Sequence, residues 1–162
     1  MPTTFKLADV KQELSQLSQK SATADELMSA IVKLLHTRLT NYNWVGFYLL
    51  EQVPGSQPML ALGPFQGAPT PHTRIPLNQG ICGAAASSGQ TVVVDDVAAD
   101  PRYLSCSLET RSEIVAPVFV HGNVVGELDI DSHSPAAFQP EDRELVEYAA
   151  TLVGKHLEKT RA

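Results

Sequence analysis

Residues Glu127 to Asp131 read Glu-Leu-Asp-Ile-Asp, a strict alternation of acid and aliphatic side chains. In an extended strand successive side chains point to opposite faces, so the three acids share one face and Leu128 and Ile130 the other. The aliphatic face must be covered, and the surrounding sequence supplies both partner strands and covering helices. EIVAPVFV (113–120) and VVGELDIDS (124–132) flank His121-Gly122-Asn123, the pattern of a hairpin. NWVGFYLLE (43–51) and PMLALGPFQ (58–66), separated by Val53-Pro54-Gly55-Ser56, form a second hairpin pattern. A short strand is expected at 73–77, a short helix over 81–88 and another strand over 91–97. Residues 98–112 have no clean period and read as a long loop, a kind of segment that is usually functional.

Helical spacing marks both ends of the chain. Apolar residues recur at helical intervals over 7–17 and 27–39, the second run preceded by Thr23 with Glu26 three residues on, a capping-box pattern. Pro140, followed by Glu141 and Asp142, suits the first turn of a last helix whose stripe is Leu145, Tyr148, Ala149, Leu152 and Val153. Hairpins in the middle and helices at the ends specify an α+β domain with an antiparallel sheet. Its expected organisation is one domain over 1–162, with N-terminal helices at 5–41, sheet and pocket over 43–132, and a C-terminal helix at 140–159.

Composition removes several function classes. Twelve Lys and Arg against 18 Asp and Glu leave a net charge of −6, and the basic residues are scattered, so no cationic surface is available for nucleic acid. The apolar runs are far shorter than the roughly 18 residues that span a bilayer. Two cysteines and a polar N-terminal sequence lead to the expectation of a reducing, cytoplasmic compartment. The five histidines lack zinc-type spacing, and no metal or other cofactor is expected.

Candidate chemistry rests on two thiols, a group of acids and a group of aromatics. Cys82 follows a glycine turn at the start of a short helix, where the dipole favours a thiolate; the other reading is close packing, the usual role of a cysteine among glycines and alanines on a short helix. Cys106, between Ser105 and Ser107, sits in the long loop as either an adaptable redox thiol or an incidental surface cysteine. The acids of 127–131, joined by Glu113, form either a crowded pocket with raised carboxyl pKa values or the solvated face of an edge strand. Trp44, Phe47 and Tyr48 are core residues or the wall of a ligand site.

Taken together, the run NWVGFYLL, then LGPFQG, RIP, GICG, SEIVAPV and LDIDS resembles the free methionine-(R)-sulfoxide reductases, a single-domain branch of the GAF fold, over about 43–157. The resemblance implies a GAF-like domain with a central antiparallel sheet of about six strands, helices packed on one side and a closed pocket on the other. It also implies free L-methionine-(R)-sulfoxide as substrate and thioredoxin as reductant. Carried over residue by residue, Cys106 falls on the principal redox cysteine, Cys82 on the cysteine of the GxCG turn, Glu113, Asp129 and Asp131 on pocket acids, and Trp44 and Tyr48 on pocket aromatics. His72 stands where the family usually has a third, resolving cysteine, so the implied disulfide pairs Cys82 with Cys106. The alternatives are a GAF module that binds a small molecule without chemistry, and a reductase disabled by the loss at His72. The amphipathic terminal helices suggest a homodimer.

Overall fold

The computed structural model describes residues 3–77, 79–103 and 108–160, with side chains described from Leu7 onward. The chain runs α1 (Thr3–Lys20), α2 (Ala24–Arg38), β1 (Trp44–Glu51), β2 (Met59–Gln66), β3 (Arg74–Pro76), α3 (Gly80–Ser88), β4 (Val92–Val94), a 3-10 turn (Val97–Ala99), β5 (Ser112–Val120), β6 (Asn123–Ser132) and α4 (Pro140–Thr160). Both hairpins and all four helices form close to where the sequence places them. The strand expected over 91–97 is shorter: it pairs with β5 only through Val92 to Val94, after which the Asp96 side chain accepts the Ala98 N–H and turns the chain.

The expected α+β architecture is a six-stranded sheet in the order β3-β2-β1-β6-β5-β4, with every neighbouring pair antiparallel. The two hairpins meet through β1 and β6, which puts β6 in the interior of the sheet. One face carries Val45, Phe47, Ile114, Ala116, Val118, Leu128 and Ile130, which pack with the apolar stripes of α1, α2 and α4. This is where period-2 strands and period-3.6 helices bury their matching faces. The other face carries Trp44, Tyr48 and Val115, which form a second cluster with Ile81, Cys82 and Ala85 of α3.

The helix starts follow from capping chemistry. The Thr23 hydroxyl accepts the Glu26 N–H at 3.1 Å, and the Glu26 carboxylate reaches back to the Ala22 N–H, one residue before the cap. At α4, Asp142 accepts the Gln139 N–H at 2.9 Å and the buried Tyr42 hydroxyl at 2.6 Å. One carboxylate thus fixes the helix start and ties it to the segment leading into β1.

Candidate active site

Strand register assembles the polar face. Trp44 lies opposite Asp131, Gly46 opposite Asp129 and Tyr48 opposite Glu127, while Glu113 lies opposite Asp131 across β5 and β6. Directly opposed residues project to the same face, so four acids and two aromatics converge on the side away from α1, α2 and α4. Glu127, Asp129, Asp131 and Glu113 are 0%, 3%, 4% and 5% exposed. The solvated edge-strand reading is overturned: β6 has a strand on each side, and its acids face a covered interior.

The cover is α3. Its first residue, Gly80, has φ 71°, a conformation open to glycine at little cost, and this turn brings Cys82 over β6. The Cys82 thiol donates to an Asp129 carboxylate oxygen at 3.4 Å. Its Sγ, one Glu113 oxygen and one Asp129 oxygen lie within 4.8 Å of one another.

Strand alternation divides the three aromatics of β1. Phe47 joins the helix-side core, whereas Trp44 and Tyr48 wall the polar face. Trp44 stacks on Phe65 at 5.7 Å and donates its Nε1–H to Ala68, while the Tyr48 hydroxyl donates to the His72 carbonyl at 2.8 Å. A Cβ at Gly46 would stand 2.3 Å from the Trp44 ring, so the glycine is what lets the indole lie across the strand.

Tyr48, His72, Ile75, Gly80, Ile81, Cys82, Glu113 and Asp129 enclose a cavity of about 10 Å³. That holds about one water molecule, so a larger guest must part the walls. Wider clefts of about 430 Å³ between α1 and α2 and about 530 Å³ along the outside of α3 contain none of these acids or the thiol. Cys106, the other expected catalytic cysteine, lies outside the described residues, as does any pairing it makes. Cys82 is a free thiol.

Comparison with known proteins places this arrangement. Residues 23–157 match the GAF domain family. A protein of Escherichia coli named free methionine-R-sulfoxide reductase is 36% identical over 137 residues, which cover 85% of this chain and 79% of its own. The chain belongs to the GAF-domain family of free methionine-R-sulfoxide reductases. The Bacillus subtilis protein YtsP is 42% identical over 120 residues, 74% of this chain and 71% of its own. The structure of free methionine-R-sulfoxide reductase from Neisseria meningitidis in complex with its substrate superposes with a TM-score of 0.90 at 33% identity, covering 99% of this chain and 93% of that one.

In this reductase-family pocket, burial is the first influence on every ionisable group. Glu113 is pushed well above the usual carboxyl range by burial and then by Asp129 and Asp131; Asp131 is raised by burial and Asp129. Asp129 is raised too, with hydrogen bonds from Glu113 and Cys82 acting against the shift. Burial also dominates at Glu127, with the neighbouring Cys82 thiol acting against the shift. The trio of Glu113, Asp129 and Asp131 therefore shares protons as one system.

Cys82 corrects its sequence-based expectation. Burial, followed by Asp129, Glu127 and Glu113, pushes its thiol well up, so the start of a short helix does not make it a thiolate. Glu127, which the alternation groups with the other acids but gives no role of its own, is the third acid beside the thiol, with Asp129 and Glu113. Both of its oxygens, with Asp129 Oδ1 and Asp131 Oδ1, are buried without a standard hydrogen bond. Among the described residues, none of the four acids forms an ion pair with a basic side chain.

Proposed function

We propose that the protein reduces free methionine-(R)-sulfoxide to methionine. The observation that carries this reading is the set of four buried acids on one face of the sheet, three of them beside a buried thiol, sharing that face with Trp44 and Tyr48 and without a basic partner among the described residues. Such a site needs a guest that brings positive charge, which the ammonium of a free amino acid supplies. It also offers protonated carboxyls that can donate to a sulfoxide oxygen. Trp44 and Tyr48 receive the methyl-thio end.

In the proposed sequence the Cys106 thiolate attacks the sulfoxide sulfur while Glu113 or Asp131 protonates its oxygen. Oxygen passes to Cys106, methionine leaves, and Cys106 becomes a sulfenic acid. The Cys82 thiol attacks that sulfur, water leaves, and a Cys82–Cys106 disulfide remains, which the dithiol of thioredoxin reduces while becoming a disulfide itself. Asp129, which already accepts the Cys82 S–H in a hydrogen bond, takes that proton as Cys82 attacks and passes it to the departing hydroxyl, which leaves as the water. Its protonated resting state suits Cys82 to the second step rather than the first. The position of His72 in the pocket wall, where a third cysteine would stand, supports giving Cys82 the resolving role. A cytoplasmic homodimer is part of the same proposal; among the described residues no helix is long and apolar enough to cross a membrane.

The test is incubation with racemic free methionine sulfoxide, thioredoxin, its reductase and NADPH, beside an N-acetylated, amidated methionine sulfoxide. Half of the racemate, the R form, should disappear, and the blocked compound should persist. Equal consumption of both compounds would remove the ammonium argument, and no consumption of either favours a module that only binds.

A further inference from the structure

We propose that the pocket also holds one thiophilic divalent cation of the zinc class, bound by Cys82, Glu113 and Asp129. The inference does not rest on the reductase reading. Three ligand atoms of zinc-binding type already converge there within 4.8 Å, from α3, β5 and β6. Tetrahedral zinc, with Zn–S near 2.3 Å and Zn–O near 2.0 Å, sets its sulfur and oxygen ligands about 3.5 Å apart. Cys82 Sγ and the nearer Asp129 oxygen are 3.4 Å apart. Glu113 therefore needs only a small side-chain movement to complete a three-ligand site, leaving a fourth position for water.

A second observation points to a missing positive guest. Asp129, which lines the cavity and is 3% exposed, has one carboxyl oxygen, Oδ1, without a hydrogen-bond partner, and both oxygens of the fully buried Glu127 on the same face of β6 also lack one. Buried carboxyl oxygens without a hydrogen bond are rare and call for a partner. The cavity of about 10 Å³ is of the size of a single ion, and a water in the fourth position would need the walls to part slightly. The donor set selects the class: one sulfur among oxygens suits zinc or cadmium, whereas calcium wants six to eight oxygens and magnesium a near-octahedral oxygen shell. Sequence spacing could not reveal this site, because its ligands come from three elements far apart in the chain.

The test uses the whole chain, reduced and freed of metal by chelator, titrated with cadmium chloride and read by the ultraviolet sulfur-to-cadmium charge-transfer band. One cadmium per chain should bind, and zinc should displace it. The band should vanish in Cys82→Ser and persist in Cys106→Ser. Glu113→Gln and Asp129→Asn should each weaken binding by at least about 10- to 100-fold, with circular dichroism confirming the fold. If Cys82→Ser fails to fold, the two carboxyl variants decide. A band that survives Cys82→Ser, that disappears in Cys106→Ser, or that neither carboxyl variant weakens would overturn the proposal.

Discussion

At Cys82 two influences of opposite sign meet. The start of a helix favours a thiolate by at most about 1–2 kcal/mol, and burial among carboxyls opposes it. The second wins, and the thiol stays protonated, donating to Asp129. Cys106→Ser should therefore abolish even a single turnover, whereas Cys82→Ser should release about one methionine per chain and then stall with oxidised Cys106. A burst that survives in Cys106→Ser and vanishes in Cys82→Ser reverses these roles. Asp129→Ala and Asp131→Ala should lower kcat/KM by about 10²–10⁴, the usual worth of a positioned proton donor or acceptor, while thermal melting stays near wild type because like-charge crowding is relieved. Unchanged kinetics in both variants would return the acids to a structural role. The alternation in 127–131 made the shared face legible, but not its burial. That depends on which strand lies beside β6, and no residue of β6 encodes it. The approach of Cys82 to Asp129 is likewise a product of tertiary packing, invisible to spacing.

The elements themselves were more legible because their causes are local. Turn chemistry at Val53-Pro54-Gly55-Ser56 and His121-Gly122-Asn123 delimits the hairpins, and the Thr23 and Pro140 signals fix two helix starts within a residue or so. What the sequence left open was how closely the elements approach. Gly154 of α4 shows this: a Cβ there would meet the Phe119 carbonyl oxygen of β5 at 2.4 Å, a backbone atom that cannot swing away. In Gly154→Ala the alanine gains about 1 kcal/mol of helix propensity, but forcing α4 off the sheet costs about 1–3 kcal/mol or more, so the clash prevails. We expect a net loss of up to about 2 kcal/mol, seen as a melting point lower by up to roughly 8 °C. The reductase assay at a permissive temperature should be unchanged, because the pocket lies on the opposite face of the sheet. A stability equal to or above wild type would mean that α4 adjusts without penalty.

At the scale of the whole molecule the sheet separates two tasks. Its helix side is apolar and carries stability; its α3 side holds acids whose burial works against stability once they ionise. The sign follows from proton counting. Glu113 faces Asp129, Asp131 and Glu127 from β6, Cys82 from α3, and Tyr48 and His72 on the pocket wall. Its folded pKa, and those of Asp129 and Asp131, lie above the unfolded values near 4. Between those limits the native state binds more protons than the unfolded chain, so this contribution to stability is complete below about pH 4 and is lost as pH rises through the folded pKa values. Each proton retained only in the folded state lowers the unfolding free energy by about 1.4 kcal/mol per pH unit. Urea unfolding of the wild type at pH 5 and pH 8 should therefore show a falling stability. Glu113→Gln, which keeps the shape and removes one retained proton, should make the fall shallower. Equal pH slopes in the two proteins would mean that Glu113 is ionised in the folded pocket. The carboxyl proposed to protonate the sulfoxide oxygen would then have to be Asp131.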